Sequence, residues 1–159
     1  MSTNWTKKEQ NLLKELQNAE KLCVEKYRKA AREAADPALG EIFSGIEQAE
    51  QKHFAVLGKM ADGAVPSLPA QNKAKGKAAN AKEDAPAPKG RLRRTARQED
   101  AYLLADLLGT EKYVSAVYNT AIFEFTDEKA RETLGSIQQQ EQFHGKQIAD
   151  YMQANHMEC

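Results

Sequence analysis

A chain of 159 residues with 41% hydrophobic and 29% charged side chains can build one modest core, and so one globular domain spanning 1–159. No apolar run reaches signal-peptide or membrane-span length, which argues against a membrane protein and predicts one made and kept in the cytosol. Two cysteines so far apart, Cys23 and Cys159, do not imply a disulfide framework, while 7% aromatic residues and few glycines suit an all-α fold.

Thr6 and Glu9 form a Thr-x-x-Glu capping box, which predicts a first helix running to about Ala35. Along it Leu13, Leu16, Glu20, Cys23, Tyr27 and Ala31 step by three or four, so Glu20 lies on the apolar stripe. Asp36-Pro37 stops this helix and caps a second, which continues through Lys59 until Asp62-Gly63 ends it. Its stripe is Ile42, Ile46, Glu50, His53 and Leu57. The first hairpin is thus 6–62, with helices about 40 Å long at about 1.5 Å per residue.

From 63 to 94 the composition changes: Pro66, Pro69, Pro86 and Pro88 stand among Ala and Lys with no sustained apolar face. This reads as a linker. Roughly thirty residues at up to about 3 Å each span the bundle with slack, which suits a long crossover better than a short hairpin loop. The same slack allows a domain-swapped homodimer. Lys73, Lys75, Lys77, Lys82, Lys89, Arg91, Arg93, Arg94 and Arg97 make the region basic, against Glu83 and Asp84. The second hairpin is acidic, with Glu99, Asp100, Asp106, Glu124, Asp127, Glu128, Glu132 and Asp150 among its charges. A solvated linker is the simplest reading; a strap over the acidic hairpin or an acidic coat partner are alternatives, and nucleic acid is not favoured.

Thr95-x-x-Gln98 predicts the cap of a third helix running to about Phe125, and Thr126-Asp127 that of a fourth running to about Ala154, which makes the second hairpin 95–154. Leu104, Leu107, Glu111, Val114, Tyr118 and Ile122 form one stripe, and Leu134, Ile137, Glu141, His144 and Ile148 the other. His156, in the tail, has no Glu three residues before it and stays out of the candidate site.

The two hairpins repeat one another at a constant offset of 91 residues without a gap: Glu20 corresponds to Glu111, Tyr27 to Tyr118, Asp36 to Asp127, Glu50 to Glu141 and His53 to His144. Residues three apart on a helix share a face, so each Glu-x-x-His aims a carboxylate and an imidazole at one point. With Glu20 and Glu111 the count becomes four Glu and two His, the ligand set of a binuclear carboxylate site. Four ionised carboxylates in an apolar bundle cost several kcal/mol each, or stay protonated, unless cations compensate them. Two divalent ions cancel the charge. Mixed carboxylate and imidazole donors suit two iron ions, with Mn or Zn as alternatives. Tyr27 and Tyr118 can hydrogen-bond ligand carboxylates, act as redox phenols or simply pack the core. The competing reading of the whole set is a relic bundle that keeps the residues and no longer holds metal.

Over most of the chain outside the linker these helices resemble the ferritin-like superfamily, on the rubrerythrin side. The runs Leu107-Leu-Gly-Thr-Glu-Lys-Tyr, Tyr118-Asn-Thr-Ala-Ile-Phe-Glu and Gln140-Glu-Gln-Phe-His-Gly also resemble the coat F domain of spore coat proteins, itself a ferritin-like relative. The resemblance implies a ferritin-like four-helix bundle of two repeated hairpins, with Glu20, Glu50, His53, Glu111, Glu141 and His144 as metal ligands. It implies a di-iron protein reacting with dioxygen or hydrogen peroxide and drawing on an external electron donor. Its alternative is a spore coat protein, partnered by other coat proteins, in which the bundle is a packing module. Three departures bear on this. Val114, whose counterpart in the first half is Cys23, stands where rubrerythrin-like peroxidases often carry a further Glu; the two Cys-x-x-Cys pairs of a rubredoxin iron site are missing; and too little follows the fourth helix for the fifth helix of a ferritin shell.

Overall fold

The four stripes become four helices: α1 (Lys7–Glu33), α2 (Pro37–Ala61), α3 (Arg94–Glu124) and α4 (Glu128–Ala154). The computed structural model describes residues 3–68 and 93–157, among which there is no strand. The basic stretch from Lys73 to Arg91, with the crossover path and swapped pairing read from it, lies outside the described residues, and so does Cys159. No helix among the described residues is long and apolar enough to cross a membrane.

Local chemistry sets most helix ends. Thr6 Oγ1 accepts from the Glu9 amide at 3.1 Å while the Thr6 amide donates to the Glu9 carboxylate at 2.9 Å, so two otherwise unpaired donors are satisfied reciprocally. Asp36 accepts from the Ala38 amide with Pro37 in the first turn, and Asp127 accepts from the Ala130 amide. α2 stops on Gly63, whose φ of 93° is a left-handed conformation that glycine adopts without strain, and the Gly63 and Ala64 amides return to the Met60 and Lys59 carbonyls. Two expected boundaries move. α1 ends at Glu33 rather than Ala35, because the Asp100 carboxylate accepts from the Ala35 and Asp36 amides at 2.7 and 3.0 Å and draws the chain out of the helix. α3 begins at Arg94, so Thr95 is inside the helix and no side chain caps it; this start is solvent-exposed, where water can satisfy the free amides.

The helices pack as a four-helix bundle: α1 lies on α2 and on α3, and α4 on α3 and on α2, with the α2–α4 seam the most sparsely packed of the four. α1 and α3 run antiparallel, since Tyr27 reaches Glu111 while Tyr118 reaches Glu20. Each end is latched. At one end Asp100 holds the α1–α2 turn, the Tyr151 hydroxyl donates to Asp36 at 2.6 Å, and Arg97 donates to the Asn155 and His156 carbonyls. At the other, the Trp5 indole donates to the Met60 carbonyl and stacks edge-on against Phe125, and Thr133 donates to the Pro66 carbonyl. The expected stripes are buried except near the ends, where Ala30, Phe43 and Ala121 go inside and Ala31, Ile42 and Ile122 sit half-exposed at the core's edge. A straight helix drifts from a fixed repeat, so the stripe leaves the seam as the helix lengthens. Each fully buried large apolar side chain contributes about 1.5–3 kcal/mol, and these layers carry a middle layer that is polar.

Candidate metal centre

That middle layer holds all six residues expected from the repeat. Glu20, Glu50 and Glu141 are wholly shielded from solvent, and Glu111, His53 and His144 are at most 4% exposed. Their donor atoms fall into two sets within 4.8 Å of one another: Glu20, Glu50, His53 and Glu141 in one, and Glu111, Glu141, His144 and Glu50 in the other. Nδ1 of His53 lies 2.9 Å from Oε1 of Glu141, 3.4 Å from Oε2 of Glu50 and 3.7 Å from Oε1 of Glu20. Nδ1 of His144 lies 2.8 Å from Oε1 of Glu50, 3.6 Å from Oε1 of Glu111 and 3.7 Å from Oε2 of Glu141. Glu50 and Glu141 therefore divide their two oxygens between the sets, while Glu20 and Glu111 each serve one. The imidazole rings stack across the centre with centroids 6.1 Å apart.

Ligands on a common cation, with bonds of about 2.0–2.1 Å, stand about 3.0–3.4 Å from one another. The spacings here bracket that range. The hydrogen-bond pattern points the same way: Oε2 of Glu20, Oε2 of Glu111 and Oε2 of Glu141 are buried with no hydrogen-bond partner among the described residues, and Oε1 of Glu50 and Nδ1 of His144 face each other at 2.8 Å without hydrogen-bond geometry. Such atoms are costly in an apolar interior, and five converging on one spot fit cation ligands better than a finished polar network.

Without cations the cluster must hold protons. Burial pushes the carboxyls of Glu20 and Glu141 well above the ordinary 4.5, with neighbouring acids adding to it. Burial opposes the charge on Glu50 too, but its close contacts with Glu20, His144 and His53 outweigh it and hold that carboxyl below its ordinary range. Burial also works against both imidazoliums, yet the surrounding carboxylates raise His53 and His144 above 6.5. Protons and metals thus compete for the same atoms.

The tyrosines cross between hairpins. Tyr27 on α1 donates to Oε1 of Glu111 on α3 and Tyr118 on α3 donates to Oε1 of Glu20 on α1, both at 2.5 Å. Burial and the adjacent carboxylates raise both phenols well above 10.0, so both stay protonated donors. Gln140, which the sequence did not single out, places its side-chain oxygen 2.5 Å from Nε2 of His53. It is one of three consecutive glutamines, and helical phase alone does not say which of Gln138, Gln139 and Gln140 meets a partner. His156 lies apart, in a left-handed turn after α4.

Residues 99–158 match the family model of the Coat F domain. The matched region contains Glu111, Tyr118, Glu141 and His144 and leaves out α1 and α2. No curated protein and no solved structure matches the chain.

Proposed function

We propose that the chain is a spore coat protein whose packing module is a ferritin-like bundle with two metal ions at its centre. The coat assignment rests on the Coat F match and carries with it coat proteins as partners and the spore coat as location. The metal reading rests on one observation: two overlapping ligand sets, each of three Glu and one His, that share Glu50 and Glu141. In this reading Glu20 with His53 would hold one ion and Glu111 with His144 the other, Glu50 and Glu141 would contribute to both, and Tyr27 and Tyr118 would orient the carboxylates of Glu111 and Glu20. The whole chain is one domain of two duplicated hairpins. A crossover between them agrees with the latches, because the end of α2 lies beside Trp5 and the start of α3 beside Asp36, at opposite ends of the bundle.

A second reading adds redox activity, and the divided carboxylates of Glu50 and Glu141 favour it, since such groups can exchange between terminal and bridging positions. Two ferrous ions held there would supply two electrons to dioxygen or hydrogen peroxide, with an external donor restoring them. Metal analysis of protein purified without chelator, expected to give two ions per chain, tests the centre. Anaerobic Fe(II) loading followed by peroxide titration tests the redox reading, and detection of the protein in coat extracts of spores tests the location. No metal above background after reconstitution would leave a coat module without a metal role.

A further inference from the structure

The duplicated centre is closed on one side and open on the other. On the His53 side, Gln140 reaches Nε2 of the imidazole. The position corresponding to Gln140 at the offset of 91 residues is Ala49, whose methyl group offers His144 no hydrogen bond. A cavity of about 330 Å³ opens there, along the sparse α2–α4 seam, lined by Glu41, Gly45, Ala49, Gln140, Phe143 and His144 among others. A Cβ added at Gly45 would meet nothing within 4 Å.

We infer that this cavity is the port by which hydrated divalent cations reach the centre, arriving on its His144 side. The inference rests on the di-metal reading above. A divalent ion with six first-shell waters occupies about 180 Å³ at about 30 Å³ per water, which the cavity accommodates. Its lining includes the exposed Glu41 carboxylate and the Gln140 side chain together with His144. Such a lining attracts a hard cation and repels an anion.

The test is the rate at which metal-free protein takes up Co(II), read by its visible absorption, in wild type and in Gly45→Leu, Ala49→Gln and Ser136→Leu. Gly45→Leu fills open space and removes a helical glycine, so it should fold at least as well as wild type. Ala49→Gln installs the residue of the other half, and Ser136 is the counterpart of Gly45 on the closed side. Gly45→Leu and Ala49→Gln should slow uptake about tenfold while the final load stays at two ions, and Ser136→Leu should keep the wild-type rate. Wild-type rates in both port variants, with two ions bound, would overturn the port and leave the metal centre standing. A wild type that takes up no Co(II) would overturn both. A readout without metal is acylation by diethyl pyrocarbonate: His144 should react before His53, and Ala49→Gln should protect it. Equal reactivity would count against the port.

Discussion

The Tyr27 hydroxyl donates to Oε1 of Glu111 at 2.5 Å, joining the first hairpin to the second beside the candidate centre. With the matching bond from Tyr118 to Glu20 it fixes how α1 and α3 register, because a slide of one turn would break both. Removing a hydroxyl leaves a buried carboxylate short of a donor. Tyr27→Phe and Tyr118→Phe should each cost about 1–3 kcal/mol in equilibrium unfolding of the metal-free protein. Nearly equal losses are expected from the two, and a loss in one only would separate their roles.

Sharing of Glu50 and Glu141 between the ligand sets predicts a hierarchy of metal content. Glu50→Ala and Glu141→Ala each remove a donor from both positions and should cut bound metal from two ions toward none, to a similar degree. Glu20→Ala touches one position and should leave about one ion. Glu47→Ala is the control, since Glu47 pairs with Arg28 at 2.8 Å on the bundle surface, away from the centre. Normal binding of two ions by Glu141→Ala alongside none in Glu50→Ala would rule out the shared arrangement.

Asp100 should prove more important for stability than its place among the surface acids of the second hairpin suggests. It is wholly buried, and its carboxylate accepts from the Ala35 and Asp36 amides. Asp100→Ala leaves those donors without their partner, at about 1–3 kcal/mol each, and should lower the Tm by several degrees. A melting curve unchanged from wild type would mean that water replaces the carboxylate there.

The six candidate ligands were legible because two independent regularities, the helical period and the 91-residue offset, fall on the same positions. Asp100 was not, since an acid near a helix start looks like surface until the turn it holds is known. Gln140 was not either, because its role depends on the neighbouring helix. The periodicity showed that Tyr27 faces inward but could not name Glu111, on another helix, as its acceptor. Thr95 misled for the converse reason: a capping pattern marks what a side chain can do, and an exposed helix start does not need it.

Cys23 lies one turn from Glu20 and is fully buried. Burial and the surrounding carboxylates raise its thiol far above the ordinary 9.0, so there is almost no thiolate to react. Native protein should take up alkylating reagent at Cys23 only at the rate of unfolding, whereas denatured protein reacts at once. Fast labelling of Cys23 in the native state would show that α1 presents a different face.

The response to pH should reverse on metal loading. In the metal-free chain Glu20 and Glu141 are held above 4.5 and His53 and His144 above 6.5, so between acid and neutral pH the folded state binds more protons than the unfolded state. Stability must then fall as pH rises. The part due to the imidazoles is fully present below 6.5 and is lost as pH climbs through their folded values. Glu50 acts in the opposite sense, but its window lies below 4.5, where its contribution fades as pH drops. Metal must displace these protons to bind, so its stabilisation grows with pH. The Tm of metal-free protein should therefore decline from about pH 5 to about pH 8, while the gap between loaded and metal-free protein widens over the same range. Paired melting curves with and without Mn(II) give both quantities, and a gap that narrowed toward pH 8 would place the metal on groups other than these six.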